Sequence, residues 1–289
     1  LSAKNSVEAF IALGLTRVEA EVYVYLIENS PATGYAIANA IDRTKGATYK
    51  VLGSLERRGA VLIEDAEKRL CKAVPPGEFL KQLDRDFQRE KQKAIAATKT
   101  LGAAPSDDGI YRLTTYDQIY ERCRVMLREC RVVAYLDIFP GPLEELREEI
   151  RAAAARGVKT AMIIYKKARI PGVWTIVEPQ AETALRKEPF HYVSISVDGR
   201  QFLMAVISRK DGRVLDAFWS ANLLYSFSMG SYLKYAILAV IYESLIEKNA
   251  SAAKLREVRG KWYKALPNFI SPGFSSLAEN ARAMNLRKK

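Results

Sequence analysis

The stretch from Gly34 to Gly59, GYAIANAIDRTKGATYKVLGSLERRG, decides how the first third of the chain is read. Ile37, Ala38 and Ile41 form a short apolar helical face over Tyr35–Ile41, and Val51, Leu52 and Leu55 form a second over Ala47–Arg58. Asp42-Arg43-Thr44 between them is turn chemistry, and Gly59 suits the left-handed position that follows a helix. Val61–Ile63 and Leu70–Val74 then flank a charged tip, Glu64–Arg69, as the two strands of a hairpin. Two short helices, a tight turn and a small basic hairpin in this order outline a winged helix-turn-helix. Such a unit presents one helix end to the major groove of DNA.

Upstream, Thr16-Arg-Val-Glu19 is a capping box, in which hydroxyl and carboxylate each satisfy the other residue's amide. The helix behind it carries Val18, Val22, Tyr25 and Leu26 on one stripe and ends at Asn29-Ser30-Pro31. A shorter helix, Val7–Leu13, precedes it.

A helix end that approaches DNA needs small or polar residues on its first turn. Here that turn reads Arg43-Thr-Lys-Gly-Ala-Thr-Tyr-Lys50. Gly46 and Ala47 allow close approach, and an alanine methyl can touch a thymine methyl. Lys45, Thr48 and Lys50 have the length and chemistry for base edges or phosphates, and Arg43, in the turn, suits phosphate. Thr44 doubles as an N-cap. Tyr49, three residues before Leu52, reads equally as core edge or as a DNA contact, while Lys68 and Arg69 place charge on the wing. The plain alternative is that these cations are simply solvated.

Pro75-Pro76-Gly77 marks a boundary, after which Gly77–Leu101 reads as one helix. Leu80, Phe87, Ala94 and Leu101 recur every seven residues, with Leu83, Glu90 and Ala97 at the other seam positions. The pattern predicts a weak coiled coil that pairs two chains, against the alternative of a linker helix packed on its own domain. GAAPSDDG, residues 102–109, is the clearest linker. Beyond it strands (110–113, 132–138, 158–165, 192–197, 202–208, 214–219) and helices (115–128, 141–156) alternate, and a long apolar helix closes the run over 221–248. This order predicts an α/β layer structure with helices on both faces of a sheet.

The formal net charge of +12 makes a polyanionic partner plausible. Residues 250–289 hold nine Lys and Arg against two Glu, so much of the excess sits in the last segment. Lys254, Arg256, Arg259, Lys261 and Lys264 alternate there with Trp262, Tyr263, Phe269 and Phe274, a mixture that serves nucleic acid or docking equally. Cys71, Cys123 and Cys130 form neither a disulfide framework nor a metal pattern. No signal peptide is read at the start, and Lys234 interrupts the apolar stretch Ala221–Ile246, so a buried helix is expected rather than a membrane span. The expected setting is cytoplasmic, associated with the nucleoid.

Catalysis finds little support. The only histidine, His191, has Val193 two positions on, where phosphodiester chemistry of the His-x-Lys kind requires lysine to stabilise the phosphorane charge. Asp137, at a strand end, is the one other candidate for a ligand site. No cofactor, metal or enzymatic activity is expected.

The segments LGLTRVEAEVYVYL (13–26), ATYKVLGSLERRGAV (47–61) and CKAVPPGEFL (71–80) resemble the archaeal TrmB family of transcriptional regulators, strongly over residues 10–85 and weakly to about 250. The resemblance implies an α+β winged helix-turn-helix (1–76), a dimerising linker or coiled-coil helix (77–104), an α/β phospholipase-D-like domain (105–249) and, here, a basic extension (250–289). It places Thr48 and Tyr49 on the family's recognition helix, while Ala47 stands where a basic residue is common and Lys50 where an acidic one is. The implied partners are double-stranded DNA and a second copy, as a homodimer or dimer of dimers, with any small-molecule effector unidentified and no membrane; sugar-responsive members carry an additional C-terminal ligand domain where this chain has the basic segment 250–289, so no sugar effector is inferred. Shorter relatives include weakly selective proteins that coat DNA, so an architectural, chromatin-like role is the alternative to sequence-selective regulation.

Overall fold

The computed structural model describes residues 3–64, 69–98, 108–266 and 271–286. The chain divides into two compact units, Leu1–Ala103 and Ala104–Lys289. In the first, α1 (Ala3–Ala12) and α2 (Arg17–Asn29) precede a two-residue strand β1 (Ala32–Thr33) and the helix pair α3 (Gly34–Ala40) and α4 (Lys45–Arg57). The hairpin β2 (Val61–Ile63) and β3 (Leu70–Ala73) follows, then α5 (Pro76–Thr98).

Local chemistry sets these boundaries. The Thr16 capping box forms as the sequence predicts, and Thr33 and Thr44 cap α3 and α4 through their side chains. Asp42 takes a left-handed φ of 52° in the turn, and Gly59 takes 72° after α4, where a Cβ would be strained. β2 and β3 pair antiparallel with Val61 opposite Ala73, and β1 adds a third strand through Ala32 opposite Cys71. Nothing periodic in two residues announces β1 from sequence. Tyr23, Leu26, Ile37, Leu52, Leu55 and Phe79 are fully buried together. Each such side chain contributes about 1.5–3 kcal/mol of burial free energy. The Tyr23 ring meets Phe10 and Phe79 edge-on, and its hydroxyl donates to the Val74 carbonyl at 2.7 Å.

On α5, Phe79 is buried and Leu83 packs against the same core. Further along, Phe87 is 65% exposed, and Leu80 and Ile95 are exposed as well. The last seam residue expected, Leu101, lies outside the described residues.

The second unit is a seven-stranded sheet with helices on both faces. Its strands are β4 (Ile110–Arg112), β5 (Val133–Ile138), β6 (Lys159–Ile164), β7 (Val173–Val177), β8 (Phe190–Val197), β9 (Gln201–Ser208) and β10 (Val214–Ser220), in the order β4-β10-β9-β8-β5-β6-β7. β5, β6 and β7 run parallel, and the remaining pairs are antiparallel. Helices α6 (Tyr116–Glu129) and α7 (Pro140–Ala155) cover one face, where Ile119, Met126, Leu146 and Ile150 meet Leu136, Ile138, Val193 and Ile195. The opposite face takes α9 (Leu223–Glu247), whose Leu233, Ile237 and Ile241 pack on Val133, Ala161 and Phe202; α8 (Ala181–Lys187) lies before β8. By length and composition α9 is apolar enough to cross a membrane, but this packing makes it a core helix of the sheet unit.

Two segments depart from the sequence reading. The stretch between β6 and β8, expected to be irregular, holds β7 and α8. β7 is an edge strand of five half-buried or exposed residues, so it shows no alternation to read. Residues 250–289, expected as an extension, hold α10 (Ala252–Ala265) and α11 (Pro272–Leu286). Trp262 is fully buried with its ring edge-on to Trp174 at 5.2 Å, and the Phe274 ring lies 5.5 Å from that of Phe227, tilted against it. Docking is therefore the role of those two aromatics; Phe269 lies outside the described residues. At the turn between β8 and β9, the Asp198 carboxylate accepts from the backbone N–H groups of Arg131, Val132 and Val133, each at 2.9 Å, which ties the end of α6 to the central strands.

Candidate nucleic-acid interface

α4 turns one face inward and its first turn outward. Thr48, Leu52 and Leu55 are buried, so the helix packs by an i, i+4, i+7 stripe. Arg43, Thr44, Lys45, Gly46, Ala47, Tyr49 and Lys50 are exposed around its N-terminus. The Thr44 hydroxyl accepts from the Ala47 N–H at 3.4 Å, and a Cβ added at Gly46 would meet nothing. Among the described residues, none of Arg43, Lys45, Lys50 and Arg69 pairs with a carboxylate. The cations, the helix N-terminus with its free N–H groups, and the small side chains together make a surface that accepts phosphate.

One expected residue is corrected. Thr48 is fully buried, and its hydroxyl donates to the Thr44 carbonyl at 3.1 Å. It is a core and helix-start residue; a DNA contact from it would require α4 to roll out of its packing. Tyr49 packs and is exposed at once: 46% of it is exposed, while its ring lies so close to Gly34 that a Cβ there would sit 2.8 Å from the ring. On the wing, Arg69 is exposed and Lys68 lies outside the described residues.

Two residues the sequence reading missed join this surface. Tyr35, on the first turn of α3, is exposed, and the Lys45 ammonium sits 4.4 Å from its ring centroid, a cation–π geometry. Lys72 is exposed on β3 directly opposite the exposed Leu62, so the outer face of the hairpin carries a cation and an apolar side chain. The alternation of Lys72 with buried Cys71 signals its direction; nothing local signals the Tyr35–Lys45 contact.

α4 is also held from behind. Glu19, nearly buried, accepts from Thr16 N–H (2.8 Å), Thr16 hydroxyl (3.0 Å) and Ser54 hydroxyl (2.6 Å), and Arg58 lies 3.8 Å away. Burial pushes the Glu19 pKa up, but the hydrogen bonds from Ser54 and Thr16 and the charge of Arg58 outweigh it, and the net shift is downward. One carboxylate thus couples the start of α2 to the back of α4.

In the sheet unit, His191 is half-buried against Gly141 with its Nδ1 unpartnered, and burial lowers its pKa, with the nearby Arg209 acting in the same direction. Burial raises Asp137 to about 6, against a hydrogen bond from Tyr165 that lowers it. Cys123 and Cys130 are buried free thiols, each pushed up to about 12, chiefly by burial. High-pKa buried thiols are poor nucleophiles, which argues against a redox role. Among the described residues, no three His, Cys, Asp or Glu side chains gather as metal ligands.

The fold and this surface define a winged helix-turn-helix DNA-binding unit joined to a mixed sheet domain. The model of the family described as "Sugar-specific transcriptional regulator TrmB" matches residues 11–77, and that of "Transcriptional regulator TrmB, EBD N-terminal subdomain" matches residues 109–228. The chain belongs to the TrmB family of transcriptional regulators. The Bacillus subtilis (strain 168) protein YrhO is 25% identical over 163 residues, 56% of this chain and 59% of that protein, so the chain spans less than two thirds of that relative's length. Among solved structures, TrmBL2, described as an archaeal chromatin protein with a novel mode of DNA binding, aligns at TM-score 0.36 and 18% identity over 80% of this chain and 98% of its own. NucT from Helicobacter pylori aligns at TM-score 0.35 and 11% identity over 46% of this chain and 95% of its own. Family membership rests on the two family models, not on these structural likenesses.

Proposed function

We propose that this chain regulates transcription by binding duplex DNA through the N-terminus of α4 and the β2–β3 wing. The observation that carries the reading is the set of exposed cations without carboxylate partners among the described residues, Arg43, Lys45, Lys50 and Arg69, around a helix start bearing Gly46 and Ala47. The contact residues are Arg43, Thr44, Lys45, Ala47, Tyr49, Lys50, Lys68 and Arg69, with Tyr35 and Lys72 added and Thr48 removed. Two copies pair through α5, where exposed Leu80 and Phe87 lie on the seven-residue seam, and two paired units address two half-sites. The sheet domain is phospholipase-D-like in fold, carries no enzymatic activity, and assembles subunits or senses an effector. The protein works in the cytoplasm, on the nucleoid.

A second reading, an architectural protein that coats DNA, is favoured by one observation. Within α4 itself the first turn, Lys45–Thr48, offers no Asn, Gln or Arg and only Lys45 as a long donor for base edges, with Arg43 standing before the helix. Footprinting against random duplex separates the two: discrete protected sites support the regulator, uniform protection the coating protein. For either, Lys45→Ala with Lys50→Ala is expected to reduce the slope of log K against log salt by about 1.8, two phosphate contacts' worth. An unchanged slope and affinity would remove α4 from the interface.

A further inference from the structure

We infer that the outer face of α10 is a second contact for duplex DNA, made to the phosphate backbone. The inference rests on duplex DNA being the partner of the first unit, but uses different residues in the other unit.

α10 is fixed by its inner stripe. Val258, Trp262 and Leu266 recur at intervals of four and pack into the core under α9, with Trp262 and Leu266 buried. Ser251 caps the helix by accepting from the Lys254 N–H at 3.2 Å. The outward residues are accordingly presented on a rigid rod rather than a loose tail. Lys254, Arg256, Arg259, Lys261 and Lys264 are all exposed, and Glu257 is the only acid in the helix. Lys261 (2.6 Å) and Lys254 (3.0 Å) both bond that carboxylate.

This leaves Arg256, Arg259 and Lys264 without a carboxylate partner among the described residues. Arg259 lies 5.9 Å from the Tyr263 ring centroid, against its own helix. Lys159, exposed at the start of β6, lines one cavity with Ala265 and Leu266 and extends the positive surface past the helix end. Arg256 and Lys264 lie eight residues apart, about 12 Å along the axis. That matches the roughly 12 Å width of a major groove between its flanking phosphates. Gly260, midway, has open space where a Cβ would stand, so a duplex can approach closely. Tyr263, partly buried, packs into the core, and the exposed residues of α10 are either charged or small (Ala252, Ala253 and Gly260). The outer face therefore offers no apolar side to enter a bilayer, and its chemistry fits phosphates.

The test uses the full chain and two unrelated duplexes of equal length, titrated at several salt concentrations. The variants are the triple Arg256→Gln/Arg259→Gln/Lys264→Gln and a control, Arg147→Gln/Arg151→Gln, whose arginines on α7 are already paired with Glu144 and Glu148. The triple is expected to lower the slope of log K against log salt by about 2–3 and to weaken both duplexes by the same factor, while the control changes neither. Arg256→Lys/Arg259→Lys should retain the slope, because charge and not fork geometry is used. If the triple loses thermal stability, the single variants Arg256→Gln and Lys264→Gln, each expected to remove about 0.9 of slope, take its place. Wild-type binding with an unchanged slope in these variants overturns the second contact and leaves the first unit's role intact. So does a basic face that captures anionic vesicles or an acidic protein with no effect on duplex. A wild-type chain that ignores duplexes at low salt overturns both.

Discussion

Replacing Glu19 tests whether α4 is held in place from behind. In the folded chain one carboxylate oxygen takes the Ser54 hydroxyl, and the other takes the Thr16 N–H and hydroxyl. Glutamine keeps one carbonyl oxygen for Thr16 and can turn its NH2 toward the Ser54 oxygen, so Glu19→Gln loses charge but not bonding. A hydrogen bond to a charged group contributes roughly 1.5–3 kcal/mol against about 1 for a neutral one, so the amide should cost about 1–2 kcal/mol. Alanine removes every partner and should cost about 3 kcal/mol. Arg58 contributes little to either figure, because it is 41% exposed on its side chain and stands 3.8 Å away. The Glu19 pKa is lowered on folding, so its contribution is present above the unfolded carboxylate range near 4.5 and is lost as pH falls through the folded value. Urea unfolding of wild type, Glu19→Gln and Glu19→Ala at pH 7 and at pH 3 measures all of this. The Gln gap should be full at pH 7 and should shrink at pH 3. A Gln variant as stable as wild type at pH 7, or a gap that stays the same at pH 3, would refute the coupling.

Two further changes test neighbouring steps. Phe87→Asp, on the exposed seam of α5, is expected to convert a dimer to a monomer in sedimentation without altering the thermal unfolding of the first unit; an unchanged dimer would move the interface elsewhere. Gly34→Ala brings a Cβ to within 2.8 Å of the Tyr49 ring, so it should swing that ring off α3 and weaken duplex binding severalfold with a stability loss of about 1 kcal/mol. Equal affinity for Gly34→Ala would make Tyr49 a packing residue only.

The features legible in sequence are those whose cause lies within a few residues. Thr16 with Glu19, Thr44 at the start of α4 and Gly59 after it each act through neighbours three or four positions away, and the structure bears them out. The apolar stripe of α4 likewise follows from local periodicity, whereas on α2 Tyr23 and Val24 are buried beside the expected Val22 and Leu26, and Val18 and Tyr25 are only partly buried. Thr48, four residues before Leu52 and seven before Leu55, lies on the apolar stripe of α4 and Lys50 lies off it, so the burial of one and the exposure of the other also follow from helical spacing, although the DNA-contact reading of Thr48 passed over it. Tertiary structure alone decided the contacts between elements. The Tyr35–Lys45 contact, the place of β7 at the sheet edge and the burial of Trp262 against Trp174 join residues far apart in the chain or on separate elements. Those contacts depend on how whole elements pack, so no run of neighbouring residues encodes them; the capping, turn and amphipathic signals do lie in such runs, and the sequence by itself determined them.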